Sequence, residues 1–283
     1  IFIGFSGILA FYSYDLPNVD KLVIKTRSPT ITFKAKDRSH LLTLGEIYGE
    51  PVSVHEIAPS LKQAVLAIED RRFYSHFGVD LIGLMRATYA NMREGRIIQG
   101  GSTLTQQLAK NLFLSPKKTF KRKAQELILA LWLENKFSKD QIFTIYLNRA
   151  YLGSGIYGVE AASKKYFNKS SRNLTIYESA MLAGLLKAPS RLNPAHNPIL
   201  AKKRANQVLS SMVSAGYLSE SSKKNVKKKI IHVKSKASHK IRYFTDWILP
   251  QVSGYITLGD TDIVVITTLD RNLQLFAEKE ISK

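Results

Sequence analysis

Glu69 and Glu126 stand 57 positions apart, each inside a dense run of polar side chains. Glu69 opens Glu69-Asp70-Arg71-Arg72-Phe73-Tyr74-Ser75-His76-Phe77-Gly78, and Glu126 closes Arg122-Lys123-Ala124-Gln125-Glu126. Between them, Gly100-Gly101-Ser102-Thr103 leads into Gln106-Gln107 and Lys110. The glycines permit a tight turn, and Thr103-x-x-Gln106 has the spacing of a capping box that starts a helix. Free N–H groups and the dipole at such a start favour an anion. Thr103, Gln106 or Gln107, and Lys110 recur at near-helical spacing, so hydroxyl, amide and ammonium could line one groove wall. Two carboxylates flanking an anion-friendly helix start suggest acid–base chemistry on a sugar whose leaving group is anionic.

Each segment also has a plain structural explanation when taken alone. Glu-Asp-Arg-Arg can be a surface ion-pair group, His76 a structural hydrogen-bonder, and Thr103 to Lys110 a well-capped surface helix. Arg122 and Glu126, four apart, can form an ordinary helix pair worth a few tenths of a kcal/mol, on the order of 0.3. The functional reading of Glu69 rests on its place at the end of a helix that starts near Pro59. The dipole there disfavours ionisation, and burial acts in the same direction, toward the pKa a general base needs. Glu126 follows five cations in the seven residues 117–123 and precedes the apolar run Leu127–Leu133, where the helix enters the core.

A net charge of +20, from 42 Lys+Arg against 22 Asp+Glu, points to an anionic partner: nucleic acid, a membrane surface or a phosphorylated substrate. The absence of Cys removes disulfides, zinc–cysteine sites and thiol nucleophiles together. The chain opens on fourteen residues without a charge, Ile1 to Tyr14. That is short of the ~20 residues that span a bilayer. It reads as the outer end of a longer anchor, with Tyr12 and Tyr14 at the interface. A signal peptide is the rival, but no small-x-small cleavage site follows.

Four regions are expected: a partial anchor over 1–16, a short β-containing connector over 17–50, a main domain over 51–220, and a basic linker with a truncated following region over 221–283. Leu22-Val23-Ile24 and Thr30 to Phe33 read as a hairpin. From Pro59 to about Tyr217 the period is helical, with breaks at Gly78, Gly95–Gly101, Ser115-Pro116, Gly153–Gly158 and Pro189–Pro198. Leu127–Leu133, apolar on every side, predicts a helix through the core. Ile263–Thr268 predicts a strand and Leu273–Ile281 a helix. A lone strand lacks hydrogen-bond partners, so these look like the first elements of something truncated.

In this order, the segments resemble the motifs of peptidoglycan glycosyltransferases. Glu69-Asp70-x-x-Phe73-x-x-His76-x-Gly78 resembles the first, Gly101-Ser102-Thr103-x-x-Gln106-Gln107 the second, and Arg122-Lys123-x-x-Glu126 the third. Lys139-x-x-Ile142-x-x-x-Tyr146-Leu147-Asn148 looks like the fourth, and Arg204-x-x-x-Val208-Leu209 like a weaker fifth. The whole chain is similar to the front half of a class A penicillin-binding protein, without the transpeptidase domain. Ser115-x-x-Lys118 and Ser221-x-x-Lys224 match an acylating-serine pattern but lack a Lys-Thr-Gly partner, and are accidental.

The resemblance implies a mainly α, lysozyme-like glycosyltransferase domain with a small membrane-associated jaw subdomain, an N-terminal anchor and short β segments at both ends. It implies polymerisation of lipid II into glycan strands at the outer face of the bacterial cytoplasmic membrane. Partners would be lipid II, the lipid-linked glycan chain, the membrane and cell-wall synthesis proteins, with no nucleic acid. Glu69 matches the general base, and Glu126 the second essential carboxylate, orienting nearby cations or a divalent ion. Lys110, Arg122 and Lys123, with Ser102 beside them, match residues at the donor phosphates, and Thr103, Gln106 and Gln107 belong to the same binding wall. Lys118 stands where many relatives carry Arg, which exchanges a bidentate fork for a point charge. Asp70, Phe73, His76, Gly78, Tyr146 and Asn148 support the motifs. No cofactor is required, although Mg or Mn is admitted. Ile97-Ile98 and Leu112-Phe113-Leu114 are expected to touch the bilayer.

Two rivals remain. A lytic enzyme of related fold also needs a Glu in a groove, but neither a cation cluster for a diphosphate nor an anchor. A nucleic-acid-binding protein rests only on charge and lacks the aromatic–basic interleaving of single-strand binders.

Overall fold

A computed structural model describes residues 30–44, 47–95, 100–114, 119–227, 244, 247–248 and 262–281. Helix makes up 60% of the structure, so the mainly α expectation holds. The chain divides into two units. One contains the described residues from 49 to 227, and the other those of 30–48 and 244–281. Residues 1–16, Leu22–Ile24, Ile97-Ile98 and Ser115–Lys118 lie outside the described residues, and with them the expected anchor, one hairpin strand and one bilayer contact. Among the described residues, no helix is long and apolar enough to cross a membrane.

The larger unit is helical. Its first helix, α1 (Pro59–Glu69), has Pro at its first position, where the missing N–H costs nothing. Leu61, Ala64, Val65 and Ala67 bury its inner face. Helix α2 (Leu81–Glu94) is capped by the Asp80 carboxylate and ends at Gly95, which takes the left-handed conformation at φ 61°. Helix α3 (Leu104–Phe113) starts with a full capping box between Thr103 and Gln106, as the spacing predicts. Helices α4 (Phe120–Lys136) and α5 (Lys139–Arg149) follow, then α6 (Val159–Phe167), α7 (Ile176–Leu185), α8 (Pro198–Ser214) and α9 (Glu220–Lys227).

The helix through the core is not the one that the apolar run predicts. In α4, Leu129, Ala130 and Leu133 are buried, yet Leu131 is 38% exposed. The helix therefore keeps a solvent side, while Trp132 meets Phe113 and Phe137 edge-on at centroid distances of 6.2 and 6.3 Å. Phe113 thus packs on Trp132, and Leu112 to Leu114 are half-buried. The central helix is α7, buried from Tyr177 to Leu185 and packed on α1 and α8. Its sequence, Ser-Ala-Met-Leu-Ala-Gly-Leu, is less uniformly large, and its small residues let neighbouring backbones approach closely. At Gly184 an added Cβ would already lie 3.0 Å from Arg204 Cγ.

The smaller unit contains a three-stranded sheet. Strands β1 (Ile31–Lys34) and β2 (His40–Leu44) form an antiparallel hairpin, and β3 (Ile263–Ile266) pairs in parallel with β1, Ile31 opposite Ile263. The closing strand is therefore not partnerless, and residues 30–48 and 262–281 belong to one unit. A strand pair more than 200 residues apart leaves no local signal, because register is set by which apolar faces can be covered. Phe33, Ala35 and Leu41 form the buried core there, with Ile31, Ile248, Val265 and Leu269 against it. Helix α10 (Arg271–Ile281) follows.

Candidate active site

A cleft of about 890 Å³ opens in the helical unit, and Glu69 lies in it. Its lining includes Glu69, Asp70 and Arg71 from the end of α1, and Arg86 from α2. Gly100 to Thr103, Gln107 and Lys110 come from the turn into α3 and from α3 itself. Lys187 after α7, and Arg204 and Gln207 on α8, complete it.

Glu69 is the last residue of α1, as its sequence position predicts. Burial raises its carboxyl pKa. Three neighbours pull the other way: a hydrogen bond from Gln107 and the charges of Arg204 and Lys187. Gln107 Nε2 donates to Glu69 Oε2 at 2.9 Å. The result is a half-buried carboxylate, raised above an ordinary Glu, that faces open space. That is what a base taking a hydroxyl proton near neutral pH requires.

Asp70, the next residue, points elsewhere and has a different task. Its carboxylate accepts the Leu104 N–H at 3.0 Å and His76 Nε2 at 3.0 Å. Asp70 is therefore itself an anion at the start of α3. The expectation that this start would receive a substrate phosphate on its free N–H groups is corrected here. The Leu104 N–H is taken by Asp70, and the Gln106 N–H by Thr103 Oγ1 at 3.2 Å. Thr103 Oγ1 in turn donates to the Gly78 carbonyl at 2.6 Å. Thr103 and Gln106, expected on the binding wall, are buried and start the helix; Thr103 also lines the cleft, whereas Gln106 is not among its lining residues.

The other motif residues hold this frame. Phe73 is fully buried against Phe143, and Lys139 Nζ sits 4.5 Å from its ring centroid. Gly78 has φ 75°, and a Cβ there would meet the Ala130 carbonyl at 3.2 Å, so only glycine suits the position. Asn148 accepts from the Val52 N–H and donates to the Val52 and Thr144 carbonyls. Tyr146, 3% exposed, donates its hydroxyl proton to Gln107 Oε1 at 3.2 Å.

Asp70→Ala would leave the His76 and Leu104 donors buried without this acceptor. Unmet buried donors cost roughly 1–3 kcal/mol each, so the variant should lose about 2–4 kcal/mol of unfolding free energy. Denaturant unfolding measures this. An unchanged midpoint with an unchanged slope would remove Asp70 from its role as helix anchor.

The second carboxylate lies behind the cleft wall. Glu126, 3% exposed, is bonded by Arg122 and by Lys123 Nζ at 2.8 Å. Lys123 Nζ also reaches Ser102 Oγ at 2.9 Å and Gln106 Oε1 at 3.3 Å. Burial lowers the pKa of both Lys110 and Lys123, with the positive charge of Arg122 acting in the same direction. Lys110, Arg122 and Lys123 thus form one electrostatic cluster, in which Glu126 balances Arg122 and Lys123 and Glu69 favours the charged Lys110. Lys118 lies outside the described residues. No group of three or more His, Cys, Asp or Glu side chains able to hold a metal occurs among the described residues.

Sequence reasoning did not place Arg71, Arg86, Lys187, Arg204 and Gln207 in the site. Arg204 had a signal in the weak fifth motif. Lys187 and Arg86 had none, because only the packing of α7, α8 and α2 brings them to the cleft.

Residues 38–213 match the transglycosylase family. Penicillin-binding protein 1A of Aquifex aeolicus is 38% identical over 288 residues, covering 99% of this chain and 39% of the relative. Penicillin-binding protein 1F of Bacillus subtilis is 41% identical over 217 residues, covering 77% of this chain and 30% of the relative. The chain therefore spans less than half the length of these curated relatives. The crystal structure of penicillin-binding protein 1A from Haemophilus influenzae shares the fold at a TM-score of 0.56, with 22% identity, covering 89% of this chain and 28% of that one.

Proposed function

The chain belongs to the transglycosylase family, as a class A penicillin-binding protein glycosyltransferase domain, and from that premise we propose that it polymerises lipid II into peptidoglycan glycan strands. The observation that carries the reading is the arrangement of the cleft. A base, Glu69, and a buffered cation cluster at Lys110, Arg122 and Lys123 are held by one frame, with Lys110 in the same cleft wall as Glu69.

In this reaction Glu69 takes the proton from the 4-hydroxyl of the acceptor sugar. The oxygen attacks the anomeric carbon of the donor as the bond to diphosphate breaks, and the electron pair leaves with undecaprenyl pyrophosphate. Attack opposite the leaving group inverts the α-linked donor to a β linkage. Lys110, with Arg122 and Lys123 behind it, stabilises the charge that develops on the diphosphate. Glu126 keeps Arg122 and Lys123 in place. Because Glu126 already bonds two cations, a divalent ion would arrive with the diphosphate instead of occupying a ready-made protein site.

The polyprenyl tail of such a substrate stays in the bilayer, since each buried CH₂ is worth roughly 0.8 kcal/mol. Helix α2 suits that constraint. Leu81, Ile82, Met85, Tyr89 and Met92 are all exposed, and they fall within an arc of about 100° at 3.6 residues per turn. Gly83 and Ala87 are its buried residues, on the opposite side. Such a stripe beside a cleft suits contact with lipid at the outer face of the cytoplasmic membrane. It is a different surface from the expected one at residues 112–114. Lipid-linked substrate and anionic headgroups would account for the +20 charge without nucleic acid.

Incubating the chain with labelled lipid II in detergent and resolving the products tests the proposal. Glycan strands longer than the disaccharide are expected. Cleavage of preformed strands in plain buffer, with no polymer from lipid II, would establish the lytic alternative.

A further inference from the structure

Tyr146, Gln107 and Glu69 form a directed chain of hydrogen bonds. The Tyr146 hydroxyl donates to Gln107 Oε1 at 3.2 Å, and Gln107 Nε2 donates to Glu69 Oε2 at 2.9 Å. We propose that Tyr146 is a positioning residue that fixes the orientation of the Gln107 amide, so that Gln107 always presents N–H, never C=O, to the Glu69 carboxylate. The proposal rests on Glu69 being the base.

The donor inventory supplies the argument. A glutamine amide has an oxygen that accepts and a nitrogen that donates, and the two ends exchange on a half-turn of the side chain. Facing a carboxylate, the nitrogen attracts and the oxygen repels. Glu69 alone does not enforce the choice, because a protonated Glu69 could donate to the flipped oxygen. Tyr146 does enforce it. Its side chain is buried, and burial together with the negative charge of Glu69 keeps the phenol protonated, hence a donor. A turned amide could donate to the phenol oxygen, but the buried phenol proton would then lose its acceptor, so Oε1 stays on Tyr146 and the N–H end faces Glu69. The relay therefore favours the ionised base, against the burial that favours the protonated acid.

The other groups acting on Glu69 come from four places: Lys110 on α3, Arg204 on α8, Lys187 after α7, and Asp70 next in sequence. All remain in the variants that test the relay. Tyr146→Phe keeps the ring and its packing but frees the amide to turn. Gln107→Met keeps the length but removes the donor. In both, protonation of Glu69 becomes easier, so the acid limb of the kcat/KM profile should move to higher pH. Measured against its own plateau, each variant should lose on the order of tenfold on the acid side, where the parent still holds its rate. The double variant should shift no further than Gln107→Met, because both changes break one relay.

Profiles measured on the full chain with lipid II in detergent decide the matter. A uniform loss at every pH with an unmoved limb, or limb shifts that add in the double variant, would overturn the relay and assign Tyr146 to packing alone. Either result leaves Glu69 as base untouched. Failure of that assignment would show separately, as an acid limb that persists in Glu69→Gln.

Discussion

Glu69→Gln is expected to stop strand synthesis, lowering turnover by ~100- to 10,000-fold, the usual range for loss of a general base. Gln keeps the shape of Glu and can still accept from Gln107, so binding of lipid II should survive. The same substitution should not harm the fold. Burial raises the Glu69 carboxyl, so the folded chain holds that proton more tightly than the unfolded chain does. The sign follows from linkage. Below the unfolded pKa the residue is neutral in both states and costs nothing. As pH rises from the unfolded to the folded value, ionisation penalises the folded state, and above both the penalty is complete. A neutral Gln removes the penalty, so at neutral pH the variant should be at least as stable as the parent. Thermal melts and a labelled lipid II assay on one preparation check both statements. Near-parental turnover would exclude Glu69 as the base, and a large drop in melting temperature would mean that its charge is structural.

This opposition between stability and chemistry also explains what was legible in the sequence. Glu69 could be found because a helix end, an adjacent Asp and the following Phe73 and His76 lie within ten residues. The capping box at Thr103 could be found for the same reason, since its partners sit three residues apart. Whether the α3 start binds a ligand could not be read, because its occupant, Asp70, comes from 34 residues earlier. The same limit applies to the cleft's far wall. Lys187 and Arg204 sit in segments whose local pattern signals only a turn and a helix. They reach Glu69 because α7, buried along its length, brings α1 and α8 together. The apolar run in α4 misled for a related reason. Hydrophobicity on all sides permits burial but does not require it, and Trp132 is covered by two aromatic neighbours while Leu131 stays exposed. Strand β3 pairs across more than 200 residues, a distance at which no period or motif in the sequence signals the partner.

The motif position of Glu126 points to catalysis, but its bonds point to control of charge. It is buried, it bonds Arg122 and Lys123, and it does not line the cleft that Glu69 faces. Three cations in close company repel each other, and burial already lowers the pKa of Lys110 and Lys123. Without the Glu126 charge Lys123, bonded to it at 2.8 Å, should fall further. A lysine with a lowered pKa loses its charge sooner as pH rises, so the alkaline limb of activity should move to lower pH in Glu126→Gln. Lys123 would also lose the partner that directs it toward Ser102. Hydrogen bonds to charged groups contribute roughly 1.5–3 kcal/mol, so affinity for a diphosphate-bearing donor should fall by on the order of 10- to 100-fold. Binding of a neutral glycan should change little, since no diphosphate is involved. Titration of the parent and variant with a soluble lipid-diphosphate analogue and with an uncharged oligosaccharide separates the two effects. Equal losses for both ligands would assign Glu126 to general folding. An unmoved alkaline limb with unchanged diphosphate affinity would show that Arg122 and Lys123 hold their places without it.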